Sequence, residues 1–318
     1  MADTSPYVEY AMAVGDVVTP LDSSKLWLRT MMTDETDRFA PVTMRMNGVP
    51  DFETLNQCRA RQKKLRRHLK KIGALKLTRR LSKCGPHKCG LNRCRAGCWF
   101  ACRTYRAQTV PQLARLMAAN GGSPYFVTIA GRPNWSHPIN QLNKCKPESL
   151  LQWVDRRLKK LDAALLGISA VEVVLDIDGN GKLFWAAHLH LVLVGASQEQ
   201  LQRVLQVRAS ERKSNSKPVQ IKLVTCLGRA LAYATKRLSQ QRLPYRDATG
   251  RHNRRNVPLK AQAQIELDRW LLRLSIGDRF RLIGCRKNGK IIEALKGQND
   301  NATERVQTRK PKKKTEIP

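Results

Sequence analysis

The order of apolar and polar residues along the chain alternates between two periods. An apolar residue at every second position is typical of strands, and apolar residues three or four positions apart are typical of amphipathic helices. The first pattern predicts a strand at Val219–Leu223, and short apolar or β-rich runs predict strands at Tyr125–Ile129, Val171–Leu175 and Leu183–Val194, with a further hairpin over Phe280–Leu295. The second predicts helices at Leu55–Ile72, Pro111–Ala119, Glu148–Leu166, Ser197–Val207, Leu227–Gln240 and Gln262–Leu274. We therefore expect a mixture of helices and hairpin-joined strands.

Two histidines stand one residue apart in the apolar run Leu183–Val194. Because successive side chains of a strand point to opposite faces, His188 and His190 are expected to share a face. Imidazole is a common metal ligand, so the pair supplies half of a metal site. Glu172 lies in the preceding strand, and an even hairpin register would place it on the histidine face as a third ligand. An odd register would send it to the opposite face.

The predicted helix Leu227–Gln240 has a tyrosine on its polar side. Its apolar stripe leaves Tyr233 and Lys236 together on the opposite surface, since they are about one helical turn apart. A tyrosine on the polar side of a helix, beside a lysine, is not required for packing. An ordinary surface tyrosine is the alternative interpretation.

Five of the nine cysteines lie within Cys84–Cys102, spaced four or five residues apart. In a long chain without an export signal, clustered cysteines favour metal binding over a disulfide framework. Zinc takes four soft or borderline ligands in a tetrahedron, and closely spaced thiols on one loop can supply several of them. We expect a structural Zn²⁺ bound by Cys84, Cys89, Cys94 and Cys98. Cys102 and His87 stay open as alternative ligands, because the segment offers more candidates than zinc needs.

Lysine and arginine outnumber the acidic residues by 59 to 25, which gives a formal net charge of +34. This excess predicts a polyanionic partner. No apolar run reaches about 18 residues, and Met1–Pro20 lacks the basic start of a signal peptide, so nucleic acid is favoured over a membrane and a cytoplasmic location is expected. The candidate phosphate-binding residues of the first helix are Arg61, Lys63, Lys64, Arg66 and Arg67. A solvated helix face would have the same composition.

The order of these segments resembles that of the HUH endonucleases, specifically the rolling-circle replication initiators of bacterial plasmids and phages. Such proteins share an apolar strand with threonine, a His-hydrophobic-His strand, and a helix with a tyrosine and a downstream lysine. The corresponding segments here are Phe126–Ile129, Ala187–Val192 and Leu231–Lys236. Many of these proteins also carry a cysteine-rich segment ahead of the first motif, as this chain does.

The resemblance implies an α+β fold, with an antiparallel sheet of the HUH endonuclease type flanked by helices. It implies that His188 and His190, together with Glu172, hold Mg²⁺ or Mn²⁺, that Tyr233 is the nucleophile and that Lys236 assists it. The implied reaction is nicking of single-stranded or origin DNA. It leaves a 5′-phosphotyrosine and a free 3′-hydroxyl that primes rolling-circle replication. A host helicase and polymerase are the implied partners.

One departure concerns the end of the reaction cycle. Some of these proteins place a glutamate one helical turn before the tyrosine, and Arg229 occupies that position here. Two other classes of function stay open. A nucleic-acid-binding zinc protein without catalysis would need neither His188 nor Tyr233, and a relaxase or a transposase would use the same core chemistry.

The same patterns divide the chain into five expected segments. These are an N-terminal region (1–54), a basic helix with the cysteine-rich zinc segment (55–120), the nuclease core (121–245), a C-terminal helix and hairpin (246–297) and a basic tail (298–318). The tail is polar and rich in lysine, so we expect it to be disordered and to add non-specific attraction to nucleic acid.

Overall fold

The computed structural model describes residues 45–46, 49–50, 55–86, 89, 95–130, 135–178, 180–206, 218–237, 240–246, 252–289 and 291–295. Most of the N-terminal region, the basic tail, His87 and Cys94 lie outside the described residues, so the expectations for them stay predictions. The described part has an α+β architecture, in which helices pack against an eight-stranded sheet. None of its helices is long and apolar enough to cross a membrane.

The strands are β1 (Arg45–Met46), β2 (Val49–Pro50), β3 (Tyr125–Ile129), β4 (Ser136–Pro138), β5 (Leu166–Ile177), β6 (Leu183–Val194), β7 (Val219–Leu223), β8 (Gln241–Arg246), β9 (His252–Val257), β10 (Phe280–Ile283), β11 (Cys285–Asn288) and β12 (Ile291–Ala294). The α-helices are α1 (Leu55–Lys71), α2 (Leu75–Ser82), α3 (Trp99–Asn120), α4 (Pro147–Leu158), α5 (Gln198–Leu205), α6 (Leu227–Ala234) and α7 (Ala261–Arg273). A short 3₁₀ helix spans Leu142–Lys144.

A long antiparallel hairpin of β5 and β6 forms the centre of the sheet. The outer edge of β6 pairs with β3 and β4, and β7 follows β3. The outer edge of β5 pairs with β10 and, at Leu175, with β8, which in turn pairs with β9. The β5–β8 pair is parallel, so the sheet is mixed and the prediction of a purely antiparallel sheet is wrong at this edge. The chain enters β8 from helix α6 rather than through a hairpin turn, and such a connection permits parallel pairing.

Strands β5 and β6 are buried on both faces, which explains why their sequences are almost continuously apolar. Trp185, Leu189 and Leu191 project to one face and are fully buried. The histidines project to the other face. Helix α6 lies over that second face, because the ring of its Tyr233 contacts the ring of His190.

Three helices differ by more than two residues from the expectation at their ends, and one of them, α6, ends at Ala234 rather than at Gln240. Helix α3 begins at Trp99 rather than at Pro111, and it is buried on nearly every side, so no amphipathic period marks its first turns. Helix α4 ends at Leu158 rather than at Leu166, because the chain turns there and enters β5. The apolar residues between those two positions match the helical spacing but belong to the connection.

The hairpin of β8 and β9 was not expected from the sequence. Its twelve strand residues include only three large apolar side chains, Leu243, Tyr245 and Val257, so no alternating pattern marks it. The strands form through main-chain pairing with each other and through the single pair with Leu175. Main-chain pairing of this kind depends on the surrounding fold rather than on local side-chain preference.

Candidate active site and cysteine cluster

Three neighbouring strands bring four candidate residues onto one face of the sheet. Glu172 on β5 lies directly opposite His188 on β6. Thr128 on β3 lies opposite His190. Opposite residues of an antiparallel pair share a face, so these side chains project together, as an even register predicts. Glu172, His188 and His190 are only 7%, 4% and 4% exposed, respectively.

Glu172 is the centre of this cluster. Its Oε2 lies 2.7 Å from Nε2 of His190, and its Oε1 lies 3.1 Å from Nζ of Lys236. Because an ionised carboxylate only accepts hydrogen bonds, the imidazole donates from Nε2. The Thr128 hydroxyl lies 3.3 Å from Nδ1 of His190, within hydrogen-bonding distance. The carboxylate therefore connects the histidine strand to the chain that follows α6.

The charges of Glu172 and Lys236 stabilise each other. Burial raises the pKa of the Glu172 carboxyl, but the hydrogen bond from His190 and the charge of Lys236 outweigh burial and leave this pKa below its ordinary value. Burial likewise lowers the pKa of Lys236, but its interactions with Glu172 and Tyr233 outweigh burial and raise it overall. Both groups are therefore charged at neutral pH.

Tyr233 lies at the open side of the cluster, with half of its side chain exposed. The centroid of its ring is 5.7 Å from that of His190. Nζ of Lys236 lies 3.8 Å from the centroid of the Tyr233 ring, so the ammonium group bridges the phenol ring and Glu172. The prediction that Lys236 lies on the helix is wrong, since α6 ends at Ala234. A turn in which the Lys236 N–H donates to the Tyr233 carbonyl at 3.1 Å still keeps the two residues together.

His188 has different surroundings from His190. Burial, aided by the positive charge of Arg242, lowers the pKa of His188 to about 3. Nη2 of Arg242 lies 3.5 Å from Nδ1 of His188. His188 is therefore neutral at physiological pH, which is the state that a metal ligand needs.

The donor chemistry of this cluster suits a divalent cation, because it combines two imidazoles with a carboxylate. The ring centroids of His188 and His190 are 6.4 Å apart, and both carboxylate oxygens of Glu172 already have partners. Within the residues that the structure describes, only the cysteines bring three ligand atoms within 4.8 Å of one another. A cation at the histidine site therefore requires Glu172 to exchange at least one of its present partners for the metal.

Cys84, Cys89 and Cys98 form that second cluster, beside helices α1 and α3. The Sγ atoms of Cys89 and Cys98 are 3.7 Å apart. Cys102 directs its Sγ toward a backbone carbonyl at 2.9 Å and lies outside the group of three thiols. Three of the four predicted ligands are thus together, in an arrangement that could hold a metal ion. The fourth, Cys94, lies outside the described residues and stays a prediction.

A buried arginine connects the cysteine segment to the end of α6, and the sequence gives no signal for it. Nη2 of Arg237 donates to the Gly97 carbonyl at 2.8 Å and to Oδ1 of Asp268 at 3.2 Å. Its guanidinium carbon lies 3.7 Å from the centroid of the Trp99 ring. Gly97 and Trp99 flank Cys98, so the residue after Lys236 is fixed directly to the cysteine segment.

The five basic residues predicted on α1 do not share one environment. Lys63, Lys64 and Arg67 are exposed, whereas Arg61 and Arg66 are partly buried. Lys63, Arg66 and Arg67 line a groove between α1 and α2 that reaches Cys84. Arg61 instead lies over the Trp99 ring, with its guanidinium carbon 4.9 Å from the ring centroid. Arg61 therefore contributes to packing, and the groove is the stronger candidate for phosphate contact.

A comparison with protein-family models, curated proteins and solved structures finds no match. The similarity to HUH endonucleases therefore rests on the ordered motifs of the chain.

We predict that the purified protein contains about one zinc per chain and that Cys89→Ser loses it. The substitution replaces a soft thiolate ligand by a hydroxyl, which zinc binds poorly. Metal analysis by mass spectrometry checks the content. Cys226→Ser is the matched control, since Cys226 lies outside the three-thiol group, and it should retain the metal. Stable wild-type protein that contains no zinc would contradict the prediction.

We predict that the protein loses stability in acid partly through His188. Its pKa is 6.5 in the unfolded chain and about 3 in the folded protein, so between these values the unfolded state binds more protons. The free energy of unfolding therefore falls as the pH falls, by at most about 1.4 kcal/mol per pH unit from this one group. Urea unfolding in the presence of a chelator should show a flatter dependence for His188→Gln between pH 6.5 and 4.5. If His188→Gln shows the same dependence of the unfolding free energy on pH as the wild type, the loss of stability does not come from His188.

Proposed function

We propose that this protein nicks single-stranded DNA through a covalent phosphotyrosine intermediate and so initiates rolling-circle replication. The observation that carries the proposal is the meeting of four separate chain segments at one point. Thr128, Glu172, His190 and the Tyr233–Lys236 segment come from β3, β5, β6 and the end of α6. Three of these segments, in β3, β6 and α6 with the turn after it, carry the motifs on which the resemblance to HUH endonucleases rests.

The position of Tyr233 suits a nucleophile that attacks a large substrate. Half of the side chain is accessible, whereas the groups behind it are buried. A phenol is a weak nucleophile near neutral pH, because its reference pKa is about 10. The ammonium group of Lys236 lies against the ring, where it neutralises negative charge that develops during attack.

In the proposed step, Oη of Tyr233 forms a bond to the scissile phosphorus and the bond from phosphorus to the 3′ oxygen breaks. The phenol proton ends, in net terms, on the 3′ oxygen, which leaves as a hydroxyl. The phosphodiester becomes a phosphotyrosine ester at the 5′ end, so the energy of the bond is retained for rejoining. The free 3′-hydroxyl is the primer that replication needs.

His188, His190 and Glu172 are the residues that would hold Mg²⁺ or Mn²⁺. Such a cation would supply Lewis-acid polarisation of the scissile phosphate. The protein's own contribution is to keep His188 neutral through burial and to keep Glu172 ionised through Lys236 and His190. Thr128 holds the ring of His190 in one orientation through Nδ1.

The net charge of +34 supports a long polyanionic substrate. A host helicase would expose the single strand and a host polymerase would extend the 3′-hydroxyl. A related relaxase or transposase reaction would use the same residues. A second candidate, a nucleic-acid-binding zinc protein without catalysis, draws on the cysteine cluster and the basic groove beside it.

We predict that Tyr233→Phe abolishes the covalent adduct that wild-type protein forms with a single-stranded origin oligonucleotide in Mn²⁺. The substitution removes only the hydroxyl of a half-exposed side chain, so the fold should be unaffected. Denaturing gel electrophoresis of a labelled oligonucleotide detects the adduct. Tyr245→Phe is the matched control and should form as much adduct as the wild type. Adduct formation by Tyr233→Phe would exclude Tyr233 as the nucleophile.

We predict that His188→Ala and His190→Ala lose cleavage but retain most of their affinity for a single strand. Phosphate contacts from the many basic residues dominate affinity, and the two histidines are buried. Fluorescence anisotropy measures binding, and the adduct assay measures cleavage on the same preparations. Parallel loss of binding and cleavage in both variants would instead assign the histidines a structural role.

A further inference from the structure

The hairpin of β8 and β9 is strongly basic and lies next to the histidine cluster. Between Gln241 and Val257 the chain has five arginines and a single acidic residue, Asp247. Within the described residues 241–246 and 252–257, Gln241 alone pairs with the main sheet, opposite Leu175, and the two strands otherwise pair with each other. The hairpin is therefore an arm attached to the sheet at its root.

The register assigns alternate residues of this arm to two faces. Gln241 shares the face of Leu175, so Arg242 lies on the opposite face, which is the face of Glu172 and the histidines. Arg242 pairs with Asn256. Arg255 pairs with Leu243 and lies on the face away from the histidines.

Arg242 differs from the other cation of the site in its partners. Lys236 is paired with the Glu172 carboxylate at 3.1 Å. Arg242 has neutral His188 beside it, with Nη2 of Arg242 3.5 Å from Nδ1 of His188. Among the described residues, no carboxylate forms an ion pair with Arg242. A partly buried guanidinium without a carboxylate can form charge-assisted hydrogen bonds with an incoming anion.

We propose that the histidine-side face of the β8–β9 hairpin binds the phosphate backbone of the single strand, with Arg242 on the phosphate at the reaction centre. A guanidinium presents planar, forked donors that match two oxygens of a phosphate, unlike the point charge of lysine. At the reaction centre the same donors would meet charge that develops on the phosphoryl oxygens during transfer. This inference rests on the proposed function for its position at the reaction centre, whereas the phosphate contact can be tested separately.

The contact is tested by the salt dependence of binding to a single-stranded oligonucleotide. Each phosphate contact contributes about 0.7 to the slope of log affinity against log salt concentration. Arg242→Gln should reduce the magnitude of the slope by about 0.7. Arg255→Gln removes the same charge from the opposite face of the same arm and should leave the slope close to the wild-type value. Arg242→Lys retains the charge and should keep most of the slope.

The position at the reaction centre is tested by the rate of adduct formation at saturating oligonucleotide. Arg242→Gln should lower this rate about a hundredfold, as loss of one donor to the transition state does in other enzymes. Arg242→Lys should recover part of the rate, and Arg255→Gln should leave it unchanged. Equal thermal unfolding of the variants establishes that the fold is intact. If Arg242→Gln does not fold, Arg242→Lys replaces it in this test. A rate of adduct formation below that of the wild type, at a wild-type salt slope, supports the position of Arg242 at the reaction centre, and a wild-type rate contradicts it.

The outcomes separate this inference from the proposed function. An unchanged slope for Arg242→Gln, or an equal loss for Arg255→Gln, overturns the phosphate-binding face. A reduced slope with an unchanged adduct rate removes Arg242 from the reaction centre. Wild-type protein that forms no adduct, while the slopes differ as expected, overturns the proposed function and leaves the phosphate-binding face in place.

Discussion

The buried carboxylate of Glu172 sets the arrangement of the candidate site. A charge removed from water is stable only when opposite charge and hydrogen-bond donors surround it, and losing one partner of a buried ion pair costs about 3–5 kcal/mol. Glu172 has both kinds of partner, in the ammonium of Lys236 and the imidazole of His190. These contacts fix the chain after α6 against the centre of the sheet. Tyr233 lies beside His190 as a consequence, and its exposed phenol is the part of the cluster that a polymer can reach.

The chain immediately after α6 is held from several directions. Lys236 reaches Glu172, and its carbonyl accepts a hydrogen bond from Nη2 of Arg279 at 3.1 Å. Arg237 extends in another direction, to Gly97 and to the ring of Trp99 beside the cysteine cluster. The proposed zinc segment and the proposed nucleophile are therefore parts of one structural unit. A metal that orders the cysteine segment would also support the turn that positions Lys236.

Local sequence patterns predict the elements whose residues have a regular period. They fail where contacts between residues distant in the sequence determine the structure. The two-residue period of a strand is sufficient to place His188 and His190 on one face, and the helix expected from Ser197 begins at Gln198, with Ser197 as its N-cap. The early end of α6 has no local signal in the sequence, and Arg237, three residues beyond it, is buried and bonded to Gly97, 140 positions earlier. The β8–β9 hairpin and the contact between Arg242 and His188 also lacked any local signal.

The identity of the residue that becomes joined to DNA tests the central claim most directly. Wild-type protein would be incubated with an origin-bearing single strand and Mn²⁺, digested with nuclease and protease, and mapped by mass spectrometry. The account predicts a nucleotide attached through phosphate to the peptide that contains Tyr233, the tyrosine beside His190 and Lys236. Attachment at Tyr245 or another residue, or the absence of any covalent product, would contradict it.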